Sequence, residues 1–389
     1  MNTQRLEKFQ ENLIDSNIDA CLLVYSRDIF YYTGTSQPGF LLITPESTDL
    51  FVKRNIDFAK EQSCLHDDNI LQLDGFQQLL RLLRDKSKNW SSFGLGMDVM
   101  PANMYQRILD ALENVKIVDI SDLILLQRMI KEPQEIEYTR EAARIVSAGH
   151  QVIKNLDLDG LSELQLSAIV ENEHRLHGHE GIFFIRKYDF FMSRGPISSG
   201  ENLTLFSGIA NSVTGIGLSA AVPAGPSLKR ITKGDIIVID IPVCYKGYHA
   251  DQTRTFVVGK PPTKIKDFFY KLHETYSFAL SIIKEGACCQ DIYNNVMSYA
   301  QKRSFENYFL NCGDIHAGIM GHGIGLELNE PPMLTSRDKS VLQENCIIAL
   351  EMHAFDPSIG TCKIEEMLLI KRNGFEILTI EPMELCELP

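Results

Sequence analysis

The sequence predicts an α/β N-terminal domain, residues 1–127, followed by a larger α+β domain, residues 128–389. The first observation is the length of 389 residues, which at about 150 residues per domain gives two to three domains. The second is the composition, 44% hydrophobic and 23% charged, which is typical of globular proteins with sizeable cores. The third is the order of patterns, because short apolar runs alternate with helical patterns only in the first third of the chain.

The N-terminal elements follow from apolar spacing. Leu6, Phe9 and Leu13 recur at helical spacing and predict an amphipathic helix over residues 4–16. Apolar runs at 20–25 and 39–44 predict strands, and residues 76–83 predict another helix. Strands and helices therefore alternate up to about residue 127.

The second domain is predicted to begin with two helices. Pro133 disfavours helix before it and suits the first turn of a helix after it, so we expect a helix over 135–155. Ser162 and Gln165 form a capping-box pattern for the next helix. We further expect a strand at 235–244, a helix at 264–283, and short strands and turns over the last 70 residues.

Charge and composition exclude several classes of partner. The chain has 51 acidic and 38 basic residues, a net charge of −13, and this field repels nucleic acid and anionic membrane surfaces. No apolar run reaches the length of a membrane span. The polar start does not resemble a secretion signal, and nine scattered cysteines without a CxxC pair favour free thiols. We therefore expect a cytoplasmic protein without nucleic-acid or membrane partners.

Two aspartates flank a predicted hairpin. A turn centred between Tyr245 and Lys246 places Asp240 opposite Asp251, and like charges that face each other on a sheet are destabilising. A divalent cation between them removes that repulsion and the desolvation penalty of Asp240 in its apolar strand. The alternative is that one aspartate lies at the strand end in water.

Three further residues stand in unusual surroundings. His322 lies between glycines in residues 321–325, GHGIG, where a structural histidine is the alternative to a metal ligand. Glu351 and Glu365 replace apolar residues in strand patterns. With the two aspartates, this set suits two hard or borderline cations about 3.5–4 Å apart that share bridging carboxylates.

The order and spacing of these five residues resemble the pita-bread metallopeptidases, which include prolidase, aminopeptidase P and methionine aminopeptidase. Residues 17–34 are similar to the creatinase/prolidase N-terminal domain, and residues 129–145 to the inter-domain helix of that family. The resemblance covers nearly the whole chain. It implies a creatinase/prolidase-like N-terminal domain followed by an α+β pita-bread (creatinase/aminopeptidase) catalytic domain.

The resemblance also implies a ligand set for two divalent metal ions, which could be Mn, Co, Zn or Fe. Asp240 would chelate one ion, and His322 and Glu351 would bind the other. Asp251 and Glu365 would bridge the ions and hold a hydroxide that attacks an amide carbonyl, while Glu351 carries the proton to the leaving amine.

The implied substrate is a short peptide with proline second, as for Xaa-Pro dipeptidase or aminopeptidase P, and the implied assembly is a homodimer. Two alternatives stay open. One is a non-peptide amide hydrolase or lyase that acts on a small polar metabolite in the same fold. The other is a catalytically weak binding module, although such a module has no need for carboxylates that face one another.

The sequence departs from the family pattern at two histidines that contact the substrate carbonyl in relatives. One is replaced by Asn329, and the other is absent from residues 218–223. His249 and His353 lie two residues from Asp251 and Glu351, so in strands each shares a face with a metal ligand. We hypothesise that one of them, or a hydrogen bond from Asn329, supplies the missing contact. The alternative is that both histidines are supporting or surface residues.

A weaker signal lies at residues 194–200, RGPISSG. The segment resembles a small anion-binding turn, and in the family the corresponding region faces the substrate pocket. A plain loop between strands is an equal interpretation.

Overall fold

The computed structural model describes residues 4–190, 193, 196–208, 212, 214–313 and 315–389. Arg194 and Gly195 of the predicted anion-binding turn lie outside these residues. The chain divides into two compact units between Arg128 and Met129. The first is an α/β unit and the second an α+β unit, as predicted. Among the described residues, no helix combines the length and apolar character needed to cross a bilayer.

The first unit is built on a mixed sheet with the strand order β4-β3-β2-β1-β5-β6. Its strands are β1 (Ala20–Leu23), β2 (Gly39–Ile43), β3 (Thr48–Val52), β4 (Ile70–Gln72), β5 (Ser92–Leu95) and β6 (Lys116–Asp119). Its helices are α1 (Gln4–Asp15), α2 (Ser26–Thr33), α3 (Ile56–Gln62), α4 (Phe76–Lys86), α5 (Ala102–Ala111) and α6 (Ser121–Met129).

The predicted apolar stripe of α1 is buried, since Phe9 and Leu13 have no exposed surface. A helix that the sequence pattern left unassigned, α2, ends at Gly34, whose φ of 84° is the left-handed conformation that glycine adopts without strain. The predicted strands and helices of this unit are confirmed with ends that differ by a few residues.

The second unit contains two larger sheets and four helices in its described residues. The helices are α7 (Pro133–Ile153), α8 (Glu163–Leu176), α9 (Thr263–Ile282) and α10 (Cys289–Lys302). The strands of the first sheet and the small hairpin are β7 (Ile197–Ser199), β8 (Ile236–Asp240), β9 (Val243–Tyr245), β10 (Tyr248–Ala250) and β11 (Thr253–Val258). The remaining strands are β12 (Asn311–Cys312), β13 (Ile315–His316), β14 (Ile319–Gly323), β15 (Glu330–Thr335), β16 (Ile347–Asp356), β17 (Gly360–Lys371), β18 (Gly374–Ile377) and β19 (Cys386–Leu388).

The two sheets of this unit have the orders β19-β11-β8-β7 and β15-β14-β16-β17-β18. They meet where β11 crosses β17, because the Thr255 hydroxyl exchanges hydrogen bonds with the backbone of Lys363 at 2.8 and 2.9 Å. Both helix starts that the sequence predicts are confirmed, with Pro133 in the first turn of α7 and a capping box at Ser162. The prediction of short C-terminal strands is wrong for β16 and β17, which run for 10 and 12 residues.

The hairpin between β9 and β10 differs from its predicted register by one residue. Tyr245 pairs with Tyr248, so the turn is centred between Lys246 and Gly247. Both of these residues have positive φ, 48° and 81°, as a two-residue type I′ turn requires. The same register places Asp240 opposite Thr253 instead of Asp251. The two aspartates are therefore diagonal neighbours on one face.

Candidate metal centre

The five predicted ligands come from five segments of the second unit. Asp240 ends β8, Asp251 lies between β10 and β11, and His322 lies in β14. Glu351 of β16 faces Glu365 of β17 in the antiparallel register, and His322 faces Ala349, two residues from Glu351. All five residues are buried, with 7% exposure or less: Asp240, Asp251, His322, Glu351 and Glu365. The two sheets thus bring together acids that the sequence spreads over 126 positions.

Three of these residues bring atoms that could bind a metal ion close together. One donor atom each from Asp251, His322 and Glu365 lies within 4.8 Å of the other two. Oδ1 of Asp251 and Oε1 of Glu365 are buried without a hydrogen-bond partner. Since buried carboxylate oxygens are rarely left unpaired, these two atoms indicate a position for a cation.

Lys363 also lies in this cluster, and sequence reasoning missed it. Its Nζ lies 2.7 Å from Oδ2 of Asp240 and 2.8 Å from Oε2 of Glu351, with its side chain only 2% exposed. The distance from Nζ to Oε2 of Glu365 is 3.9 Å. The sequence does contain a signal for it, which is the spacing of two residues between Lys363 and Glu365. Residues at this spacing share a face of a strand, here β17.

The electrostatics of the acids differ across the cluster. Burial, and then the neighbouring Asp240, raise the pKa of Asp251 well above its usual range, and burial followed by Asp251 does the same for Glu365. Burial also disfavours the charged form of Glu351, but Lys363 and His322 overcome that effect and hold its pKa at about 2. Repulsion among unpaired acids is therefore concentrated at Asp251 and Glu365, where a cation would relieve it.

The residues present fit a bound metal ion. Carboxylate oxygens with one imidazole nitrogen suit borderline divalent transition metals, and the acids lie close enough to share ions. A hydrogen bond orients each of two ligands: Nδ1 of His322 lies 3.0 Å from the Gly323 carbonyl oxygen, and the Thr253 hydroxyl donates to Oε2 of Glu365 at 2.6 Å. Such supporting contacts fix the direction of a ligand before a metal binds.

Behind the ligands, β11 is fastened to β17 by a buried guanidinium. Arg254 donates from Nη1 to the Glu365 carbonyl oxygen at 2.8 Å and forms an ion pair with Glu366. Gln252 also donates to Glu366 at 3.2 Å. These contacts hold the backbone of β17 in the position that aims Glu365 at the cluster.

Both ring nitrogens of His249 form hydrogen bonds with backbone groups. Its Nδ1 lies 2.9 Å from the Gly325 carbonyl oxygen, and its Nε2 accepts from the backbone N–H of Phe184 at 3.0 Å. This pattern fixes the tautomer with the proton on Nδ1. His249 thereby ties Gly325, the last residue of the GHGIG segment, to Phe184.

His353 lies beside the cluster on β16, opposite Lys363. It is 2% exposed, and its Nε2 lies 3.5 Å from Sγ of Cys312. Burial, and then the charge of Lys363, lower the pKa of His353 to about 4, so the ring is neutral at pH 7. Asn329 is half-buried in the bend before β15. Residues 218–223, where the family resemblance led us to expect a histidine, include the exposed Leu218 and Val222.

All nine cysteines lie in the described residues, and none of them forms a disulfide there. Burial raises the pKa of the Cys312 thiol to about 11, so the group beside His353 is a neutral thiol at pH 7.

Family models match both parts of the chain. The metallopeptidase family M24 model covers residues 137–372, and the creatinase/prolidase N-terminal domain model covers residues 5–130. The Xaa-Pro dipeptidase of Pyrococcus horikoshii is 26% identical over 386 residues, which span 98% of each chain. The Xaa-Pro dipeptidase of Pyrococcus furiosus is 27% identical and covers 98% of this chain and 99% of its own length.

Solved structures show the same fold over the full length. The prolidase of Pyrococcus horikoshii superposes with a TM-score of 0.82 at 26% identity, covering 98% of this chain and 99% of its own. The Xaa-Pro dipeptidase of Bacillus anthracis gives 0.83 at 25% identity, with 99% of each chain covered. The resemblance and the fold predicted from the sequence are thus confirmed. The chain belongs to metallopeptidase family M24, carries a creatinase/prolidase N-terminal domain and is a metal-dependent hydrolase of the metallopeptidase type.

Proposed function

We propose that the protein hydrolyses short peptides with proline in the second position, as an Xaa-Pro dipeptidase or an aminopeptidase P. The observation that carries the proposal is the group of Asp251, His322 and Glu365, whose ligand atoms lie within 4.8 Å of one another and in which each carboxylate keeps a buried, unpaired oxygen. In a member of family M24 that is similar to Xaa-Pro dipeptidases along its whole length, this group is the natural position for the catalytic metal.

The proposed centre holds two divalent ions. The residues that would hold them are Asp240, Asp251, His322, Glu351 and Glu365. Bound ions supply a water of lowered pKa and polarise the scissile carbonyl. Mn, Co, Zn and Fe all suit this donor set.

The chain itself moves the proton. Glu351 is ionised at neutral pH, because Lys363 and His322 outweigh its burial and hold its pKa at about 2. Its Oε1 lies 3.8 Å from Nε2 of His322, and its other oxygen faces Lys363. We assign to Oε1 the role of accepting the proton of the attacking water and passing it to the leaving amine.

For the substrate carbonyl we assign a contact from His353 or Asn329. The neutral ring of His353 lies on the same face as Glu351, and the Asn329 amide occupies the place of a family histidine. His249 is better suited to positioning, since both of its ring nitrogens bond backbone groups. We further propose that the protein acts in the cytoplasm as a homodimer.

The test is a substrate panel with the full-length protein, metal-free and after addition of Mn²⁺. We expect cleavage of Xaa-Pro dipeptides or longer Xaa-Pro peptides that depends on the metal. Cleavage of small N-methylated amides alone would support the non-peptide alternative instead, and no cleavage of any proline peptide would defeat the peptidase proposal.

Glu351→Gln provides the matched loss of function. Removing the proton acceptor is expected to lower kcat by about 10²- to 10⁴-fold. The control is Glu137→Gln on α7, whose side chain is 67% exposed.

A further inference from the structure

Lys363 places a positive charge inside the proposed metal centre. Its Nζ contacts Oδ2 of Asp240 at 2.7 Å and Oε2 of Glu351 at 2.8 Å. The backbone around it is fixed, because the Thr255 hydroxyl bonds both the N–H and the carbonyl oxygen of Lys363. The ammonium group is therefore held by β17 at a position between two proposed metal ligands.

This contact divides the five ligands into two groups. In the first group, Asp251 and Glu365 each keep an unpaired buried oxygen, and one ligand atom of each lies within 4.8 Å of a ring nitrogen of His322. In the second group, Asp240 and Glu351 each give an oxygen to the same ammonium. Two carboxylates that would bind a metal ion thus already hold a cation that the chain supplies.

We propose that Lys363 competes with the second metal ion. The first divalent ion binds at Asp251, His322 and Glu365, and the second binds only by displacing the Lys363 ammonium from Asp240 and Glu351. This inference rests on the proposed function, which places the metal centre at these residues. Because a buried charge that loses its partner is strongly unfavourable, the second ion is expected to bind about 100-fold more weakly than the first.

The test is a titration of the metal-free, full-length protein with Mn²⁺. Calorimetry gives the two affinities, elemental analysis after dialysis gives the ions bound per chain, and electron paramagnetic resonance separates a single Mn²⁺ from an exchange-coupled pair. The wild type is expected to show one tight ion and a second about 100-fold weaker. In Lys363→Met the difference between the two affinities, called the gap below, is expected to fall below about 10-fold. The signal of the exchange-coupled pair is then expected at a lower Mn²⁺ concentration than in the wild type.

The control is Lys229→Met, which removes an ammonium that lies 2.7 Å from Asp235 and 3.2 Å from the Ser199 hydroxyl, away from the five ligands. It is expected to keep the wild-type gap. If Lys363 acted only through its general charge, Lys363→Met would raise the affinity for both ions equally. The ratio of the two affinities would then stay unchanged, so this ratio is the decisive quantity.

The inference is overturned if Lys363→Met keeps the wild-type gap, or if the wild type binds both ions equally well. If neither protein binds Mn²⁺, the proposed metal centre fails together with the inference. Circular dichroism checks that Lys363→Met folds. If Lys363→Met does not fold, Lys363→Gln, which retains a polar group without the charge, takes its place in the same titration.

Discussion

Thr253 is the partner that orients Glu365. Its hydroxyl donates to Oε2 at 2.6 Å and leaves Oε1 as the unpaired oxygen of that carboxylate. Thr253→Val keeps the shape of the side chain and removes the donor, so Glu365 loses its fixed direction. We expect Mn²⁺ affinity to fall by about 10- to 100-fold, measured by calorimetry.

The matched control for this prediction is Thr275→Val in α9, a buried threonine whose hydroxyl donates within its own helix to the Lys271 carbonyl oxygen. Equal Mn²⁺ affinities in the wild type and Thr253→Val would show that Glu365 is oriented by other contacts.

His150 gives the fold a dependence on pH. Burial, and then the charges of Arg254 and His174, lower its pKa from 6.5 to about 3, and its Nε2 has no partner. Below pH 6.5 the imidazole of the unfolded chain binds a proton, whereas the folded ring stays neutral until the pH approaches 3. The free energy of unfolding is therefore unaffected by His150 above pH 6.5 and decreases as the pH falls from 6.5 towards 3. Its loss is expected to be about 1.4 kcal/mol per pH unit within that window.

Urea unfolding at pH 7 and pH 5 measures this effect. His150→Gln is expected to show a smaller difference between the two pH values than the wild type, whereas His177→Gln, at a half-exposed position, keeps the wild-type difference. An unchanged difference in His150→Gln would remove His150 as the cause.

The proposed ligands stand out in the sequence because the acids occupy positions where a strand pattern favours an apolar residue, and His322 lies between glycines. The sequence does not reveal the role of Lys363, because a lysine next to acidic residues in a strand is typical of an exposed ion pair. Only the three-dimensional register shows that its side chain is 2% exposed and that it faces Asp240, which lies 123 positions earlier in the chain.

At the scale of elements, Glu163 joins the start of α8 to β7 and to the loop before β8. Its Oε1 accepts from the N–H and hydroxyl of Ser199 at 2.7 and 2.9 Å. Its Oε2 accepts from Asn202 at 2.8 Å and from the N–H and hydroxyl of Ser227 at 3.0 and 2.6 Å. The carboxylate has no exposed surface, so it is the internal anchor of these segments.

Glu163→Ala leaves those donors buried without an acceptor, and we expect the free energy of unfolding to fall by about 3 kcal/mol or more. Urea unfolding measures the change. Glu173→Gln in the same helix, where the side chain is 27% exposed, is the control. A loss below about 1 kcal/mol in Glu163→Ala would mean that water or other groups replace the carboxylate.

Turn chemistry explains why one predicted pairing was wrong. The sequence shows a polar stretch from Tyr245 to Gly247 but not which two residues take positive φ. The structure centres the turn between Lys246 and Gly247, and each residue of the ladder shifts accordingly. Asp240 and Asp251 stay on one face as diagonal neighbours, so the predicted cluster survives an incorrect register.

For the whole molecule, metal binding is linked to stability. An ion that binds only the folded chain at 100 times its dissociation constant stabilises it by about 2.7 kcal/mol. We expect Mn²⁺ to raise the Tm of the transition that unfolds the second unit by several degrees, measured by calorimetry. Glu365→Gln is expected to lose most of this shift, and a full shift in that variant would contradict the ligand assignment.

The pairing of β19 with β11 has a consequence for synthesis on the ribosome. β19 (Cys386–Leu388) lies parallel to β11 and completes the sheet that carries Asp240. The N-terminal unit can fold as it emerges, since domains generally fold in order during translation. The proposed ligand cluster is completed later, because Glu365 and β19 follow the other proposed ligands in the chain. A nascent chain stalled before residue 365 therefore lacks one of the proposed ligands and has no complete site for a metal ion.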